Sequence, residues 1–157
     1  MNIRIGHAFD VHPFADDDRV LVLGGVEFSG ETGLAGHSDA DVVAHAVTDA
    51  LLSAVGLGDI GQRYPDTDPA YAGADSIELL RDAALATREM GWTPLNVDAT
   101  VLAERPQLAP RRDEIQQRLT AAVGAPVTIK GTRAEGLGAM GRAEGIACWA
   151  VALVSRP

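Results

Sequence analysis

Residues 38–56, SDADVVAHAVTDALLSAVG, constrain this chain more than any other stretch. Ser38 reads as a helix N-cap, with Asp41 three residues on as an imperfect capping box. Val42, Ala46, Ala50 and Ala54 follow at helical spacing, and Gly56 and Gly58 end the run. Asp41, His45 and Asp49 recur every four residues and so share one face of an otherwise apolar helix. A helix this rich in alanine suits close packing against other elements or a subunit interface. Its single polar line needs a polar explanation.

A partner for that line lies near the N-terminus, in the strand-like run GHAFDVHPF. Asp10 and His12 are two apart, so in an extended strand a carboxylate and an imidazole project side by side. With His45 they make one carboxylate and two imidazoles, an open zinc set with the fourth tetrahedral position free. Spacing alone does not bring helix to strand, so a second reading stands beside it. In that reading His45 is a satisfied helix histidine and Asp10 a turn residue.

Three further groups carry possible chemistry. His37 and Ser38 sit at the helix entrance, where backbone N–H groups and the dipole favour an anion; otherwise Ser38 only caps and His37 is solvated. Asp59, Asp66 and Asp68 punctuate a Pro/Gly/Asp-rich loop over residues 59–74, either as turn formers or as acceptors for ribose hydroxyls. Residues 131–145 hold Thr132, Arg133, Glu135, Arg142 and Glu144 among glycines. Such loops cradle phosphates through backbone amides, or serve as turns with salt-bridging charges. Neither a Walker pattern nor a strand-anchored GxGxxG is present, so a generic nucleotide fold is not supported.

The chain has 157 residues, enough for one domain spanning 1–157. Its formal charge of −9 disfavours nucleic acid and anionic membrane. A phosphate ligand would then need a local reversal of sign, and a bound divalent metal supplies one. Cys148 is the only cysteine and lies in an apolar strand, so a buried inert thiol is expected and no internal disulfide can form. No signal-peptide pattern and no apolar run of spanning length occurs, so a soluble cytoplasmic protein is expected.

Strands are expected over residues 3–9, 20–23 and 26–28, the last two flanking a Gly24-Gly25 hairpin turn. A helix over 75–90 should turn Ile77, Leu80, Ala84 and Leu85 inward. A strand at 96–103, a helix at 110–123 with Ile115, Leu119 and Val123 inward, and strands at 127–130 and 146–154 complete the chain. The order β-ββ-α-α-β-α-β-β implies an α/β or α+β sandwich, with helices covering one face of a mixed sheet.

Taken together, IGHAFDVHPF, GLAGHSDADVVAHAVTDALLSAVGLGDIG, YPDTDP and GRAEGIA closely resemble the 2-C-methyl-D-erythritol 2,4-cyclodiphosphate synthase family of the non-mevalonate isoprenoid pathway. The likeness runs essentially end to end. It implies a ferredoxin-like α/β subunit in a homotrimer with active sites between subunits. It also implies that CMP is released from 4-diphosphocytidyl-2-C-methyl-D-erythritol 2-phosphate by intramolecular phosphoryl transfer, making the enzyme a metal-dependent phosphorus–oxygen lyase.

Residue by residue, the resemblance places zinc, or another divalent cation, at Asp10, His12 and His45, with Val11 beside the substrate. His37 and Ser38 match the phosphate-contacting pair; Asp59, Ile60 and Gly61 match the ribose-binding motif. Tyr64, Pro65, Asp66, Thr67 and Asp68 match the loop around the methylerythritol phosphate. Ala103, Glu104, Arg105, Pro106, Gln107, Leu108 and Ala109 match a cytosine pocket built largely from backbone. Thr132, Arg133, Ala134, Glu135 and Arg142 match the diphosphate segment, with Glu135 where magnesium or manganese is held.

Four positions depart from the family pattern. Arg133 and Ala134 stand where Thr/Ser and Thr/Asn are usual, Gln107 where Lys is common, and Ala139 where an aromatic often lines the threefold axis. Because guanidinium matches phosphate geometry, Arg133 is expected to clamp the reacting phosphate, with His37 as the second catalytic group.

Overall fold

Alternation along the first strand sets the architecture of the protein, whose computed structural model describes residues 1–157. Strand β1 runs over Asn2–Pro13. Gly6 and Ala8 are buried and Asp10 and His12 half-buried on one face, while Ile3, Ile5, Phe9 and Val11 are exposed on the other. The strand outruns the expected 3–9 because its pairing with β6 (Gly145–Arg156) continues through His12↔Ile146 to Pro13↔Gly145. Long-range pairing therefore carries Asp10 and His12 into the sheet.

The sheet has the order β1-β6-β4-β5. Strand β6 is antiparallel to both β1 and β4 (Thr93–Leu102), whereas β5 (Val127–Thr132) is parallel to β4, so the sheet is mixed as expected. A separate hairpin joins β2 (Val20–Leu23) to β3 (Val26–Thr32). Its turn residues Gly24 and Gly25 have φ of 58° and 73°, the paired positive values of a type I′ turn.

Helices α1 (Val42–Val55), α3 (Ser76–Glu89) and α4 (Arg112–Val123) lie over one face of the sheet. A short α2 (Ile60–Arg63) and a 3-10 turn at Pro69–Tyr71 structure the 59–74 segment, and α5 (Gly138–Gly141) sits within the glycine-rich 131–145 connection. One continuous core of 37 buried residues runs under all the layers, with Cys148 inside it as expected. No helix is long and apolar enough to cross a membrane.

Three local expectations are corrected. The N-cap of α1 is Asp41, not Ser38: the Asp41 carboxylate accepts from Val43 N and Ala44 N at 3.1 Å each. Asp41 also accepts from Gly24 N (2.8 Å) and Gly25 N (2.6 Å), which pins the hairpin to the helix start. Asp41 is fully buried, so only His45 and Asp49 remain as the polar line of α1. Leu85 is 54% exposed, because the buried arc of α3 runs through Ala83, Ala84, Ala86 and Thr87 instead.

How close α1 comes to the sheet is set by Gly6. A Cβ there would meet the Ala50 carbonyl oxygen at 1.8 Å and Ala54 N at 2.8 Å, both backbone atoms. The Gly6→Ala variant must therefore lift α1 off β1. It is expected to lose about 3 kcal/mol, at the upper end of overpacking costs. Urea unfolding measures this, and a loss under about 1 kcal/mol would mean the contact is not limiting.

Candidate active site

Close packing of α1 on β1 brings three side chains together. Asp10 Oδ2 lies 3.0 Å from His12 Nε2 and 3.1 Å from His45 Nδ1, and the two ring nitrogens are 3.1 Å apart. Four ligands at the zinc bond lengths of ~2.0–2.1 Å would be separated by about 3.3–3.4 Å, so this triangle is close to one face of such a tetrahedron. One carboxylate and two imidazoles, half-buried with one side open, fit a divalent cation.

The ring orientation of His12 is fixed by a main-chain acceptor. Its Nδ1 contacts the Ala35 carbonyl at 2.8 Å, and a carbonyl only accepts, so Nδ1 carries the proton and Nε2 faces the cluster. Burial pushes the Asp10 carboxyl upward, but hydrogen bonds and charge from His12 and His45 outweigh it and hold Asp10 below the usual carboxylate range. The His12 imidazole loses basicity through burial, yet its bond to Asp10 and that carboxylate's charge leave it raised.

His45 Nε2 points away from the cluster, 2.9 Å from Ser76 Oγ and 3.0 Å from Ser38 Oγ. Ser38 thus belongs to the site rather than to the helix cap. His37 is exposed, its Nε2 within 3.1 Å of the Asp68 carbonyl, which ties it to the 64–68 loop. Asp59 caps α2 through Gln62 N (2.8 Å), and Asp49 accepts from Ile60 N (2.7 Å). Asp49, on the polar line of α1, thereby anchors the segment 59–61. Burial, then repulsion from Asp59 and Asp10, pushes the Asp49 carboxyl up despite its bond from Ile60. The Tyr64 hydroxyl donates to Asp82 Oδ2 at 2.6 Å, so the sequence-predicted loop residue is turned inward to α3.

A second set assembles elsewhere. Ala103, Glu104, Pro106, Gln107, Leu108 and Ala109 line a cavity of about 290 Å³, together with Arg112, Lys130, Thr132 and Arg133. Glu104 Oε2 accepts from Arg133 Nε (3.1 Å) and Nη2 (2.8 Å), while Oε1 accepts from Ala134 N (2.9 Å). That pairing holds Glu104 below its ordinary carboxyl range and raises Arg133. Glu135 follows with φ of 53°, a left-handed conformation uncommon outside glycine. Arg142 is paired with Glu144 at 2.6 Å.

Cross-strand register relates the two sets. Asp10 pairs with Cys148, Cys148 with Val101, and Val101 with Gly131. Three strand steps separate the β1 edge from the β5 edge, about 14 Å. Asp10, His12, His45 and Ser38 thus converge, as do Ala103, Glu104, residues 106–109 and 132–134, but at opposite sheet edges; the expected pocket residue Arg105 stands outside the cavity, its guanidinium over the Phe14 ring. Sequence reasoning missed Asp39, Ser76, Arg112 and Lys130. Ser76 follows the Asp75 cap as the first residue of α3, and that position alone carries no signal of its burial.

Fold and site together define an α/β protein with an Asp–His–His cluster at one edge of a mixed sheet and a polar pocket at the other. The chain belongs to the YgbB family, whose profile matches residues 3–155. It is 54% identical over 159 residues to the 2-C-methyl-D-erythritol 2,4-cyclodiphosphate synthase of Dechloromonas aromatica, covering 99% of each chain. Among solved structures, the bifunctional IspDF of Campylobacter jejuni matches with a TM-score of 0.94 and 40% identity, over 99% of this chain and 43% of that one. This chain therefore spans less than half of that bifunctional protein. A Plasmodium falciparum IspF complex with CDP matches with a TM-score of 0.85 and 30% identity, over 99% of this chain and 97% of that one.

Proposed function

We propose that residues 1–157 form one cyclodiphosphate synthase domain, converting 4-diphosphocytidyl-2-C-methyl-D-erythritol 2-phosphate to 2-C-methyl-D-erythritol 2,4-cyclodiphosphate and CMP. The observation that carries this reading is the convergence of Asp10, His12 and His45 in a chain of this family. In the reaction an oxygen of the 2-phosphate bonds to the β-phosphorus. The bond from that phosphorus to the α–β bridging oxygen breaks, and CMP leaves with the oxygen. Reactant groups share one molecule, so the protein's work is alignment and charge stabilisation.

Bound at the Asp–His–His cluster, a divalent cation such as zinc would supply Lewis-acid polarisation of a phosphate oxygen and offset the acidic surface. His37 and Ser38 donate hydrogen bonds to the phosphate beside it. Asp59 accepts from ribose hydroxyls alongside Ile60 and Gly61, and residues 64–68 enclose the methylerythritol phosphate. The cavity behind Glu104 takes cytosine. Arg133, held at its rim by Glu104, clamps the diphosphate with Thr132, Ala134 and Arg142. Glu135 offers the carboxylate for magnesium or manganese.

Assembly as a homotrimer fits two observations. Ile3, Ile5, Phe9, Val11, Trp149 and Val151 leave an apolar sheet face open, with the Phe9 and Trp149 rings 4.8 Å apart. The two halves of the site also sit at opposite sheet edges, and a closed ring of copies joins one edge to the next copy's other edge. We place the enzyme in the cytoplasm, where the lone buried Cys148 stays reduced.

Incubating the protein with the diphosphocytidyl substrate and magnesium tests the reading. Cyclodiphosphate and CMP in equal amounts are expected. Free phosphate would indicate a phosphoesterase instead, and binding without turnover a cytidine-nucleotide-binding protein.

A further inference from the structure

We infer that Ser76, backed by Asp39, is a positioning residue that holds His45 with its Nε2 proton outward and its Nδ1 lone pair turned toward Asp10 and His12. The inference deepens the metal-site reading above and rests on it.

Donor and acceptor capacity carries the argument. The Asp39 carboxylate only accepts, and it is fixed by Ser76 N (3.1 Å) and Asp41 N (3.1 Å). Ser76 is fully buried, and its single hydroxyl proton is donated to Asp39 Oδ1. That leaves Ser76 Oγ with only lone pairs for His45 Nε2, 2.9 Å away. A bare Nε2 would set lone pair against lone pair at that distance in a buried place. A protonated Nε2 instead completes the chain His45 to Ser76 to Asp39. Ser38 Oγ, 3.0 Å from the same nitrogen, already accepts from Ala40 N, and it offers no carboxylate behind it.

His12 shows the same logic in simpler form, since the Ala35 carbonyl fixes its proton on the far nitrogen. The two imidazoles thus present opposite ring nitrogens, Nε2 from His12 and Nδ1 from His45, to one point. Each needs its own outward acceptor. For His45 that acceptor is the first residue of α3, and Asp39 behind it also ties the 59–75 segment to the cluster by donating from its backbone N to Ala74 O (3.1 Å).

Zinc affinity measured by competition with a chromophoric chelator provides the test. Partners of this kind typically contribute 10–100-fold in metal affinity, so Ser76→Ala should bind zinc at least ~10-fold more weakly than wild type. Asp39→Asn should weaken it too, and the double variant should lose less than the product of the two. In zinc-loaded protein labelled with nitrogen-15 at its four histidines, the His45 Nε2 proton should exchange slowly in wild type and rapidly in Ser76→Ala. Undiminished zinc affinity in Ser76→Ala would overturn the inference while leaving the metal site intact. A wild-type protein that binds no zinc would instead refute the metal-site reading. Should Ser76→Ala fail to fold, the wild-type ring proton decides, and free exchange there overturns the inference.

Discussion

Replacing Asp10 by Asn should lower turnover by about three orders of magnitude and abolish stoichiometric zinc binding. Asp10 supplies the only negative charge in the cluster and contacts both imidazoles within 3.1 Å. Asn keeps the shape and removes the charge that draws a divalent cation to two neutral rings. Losing several kcal/mol of transition-state charge stabilisation corresponds to about 10³-fold, at ~1.4 kcal/mol per decade. Chelator treatment of wild type should match the variant, and added zinc should restore wild type alone. Initial rates with metal content measured on the same samples check this. A variant within about tenfold of wild type would remove the cluster from the chemistry.

Asp41→Ala should cost as much stability as Gly6→Ala, by a different route. It strips acceptors from four backbone N–H groups at once, two at the start of α1 and two in the Gly24-Gly25 turn. Unsatisfied buried groups cost about 1–3 kcal/mol each, offset in part by no longer burying a carboxylate. That offset is real: burial, then the nearby Asp39 charge, pushes the Asp41 carboxyl up to about 6 against its four hydrogen bonds. A net loss of about 3 kcal/mol follows, or ~6–12 °C in Tm for a chain of this size. Asp41→Asn should not rescue, because one amide edge would face N–H groups with N–H. Thermal unfolding of both variants checks it, and a Tm within about 2 °C of wild type would show that the turn finds other acceptors.

Local patterns were legible where local physics decides. Gly24-Gly25 announced a turn needing two positive φ values, and the spacing of Asp10 and His12 placed them on one face of a strand. The α1 helix, its Gly56 stop and the inward line of Ile115, Leu119 and Val123 followed from period alone. Convergence with His45 did not, since it depends on the Gly6 contact with Ala50 and on the β1–β6 register. The choice of cap was equally non-local. Ser38, Asp39 and Asp41 are all good capping types, and the hairpin N–H groups selected Asp41, freeing Ser38 and Asp39 for the His45 network. Ser76 looked like the ordinary first residue of a helix, and only the packing of α3 against α1 brings its hydroxyl to His45. Arg133 was legible as a departure, but its pairing with Glu104 across the pocket rim was not.

The central claim is that Asp10, His12 and His45 hold the cation at which the substrate phosphate is bound. Anomalous diffraction at the zinc absorption edge, from crystals grown with zinc and CDP, tests it most directly. The account predicts one peak per chain, ~2.0–2.2 Å from Asp10 Oδ2, His12 Nε2 and His45 Nδ1, with a CDP phosphate oxygen as the fourth neighbour. Zinc bound elsewhere, or a CDP-bound chain in which these three side chains only hydrogen-bond to one another, would contradict it.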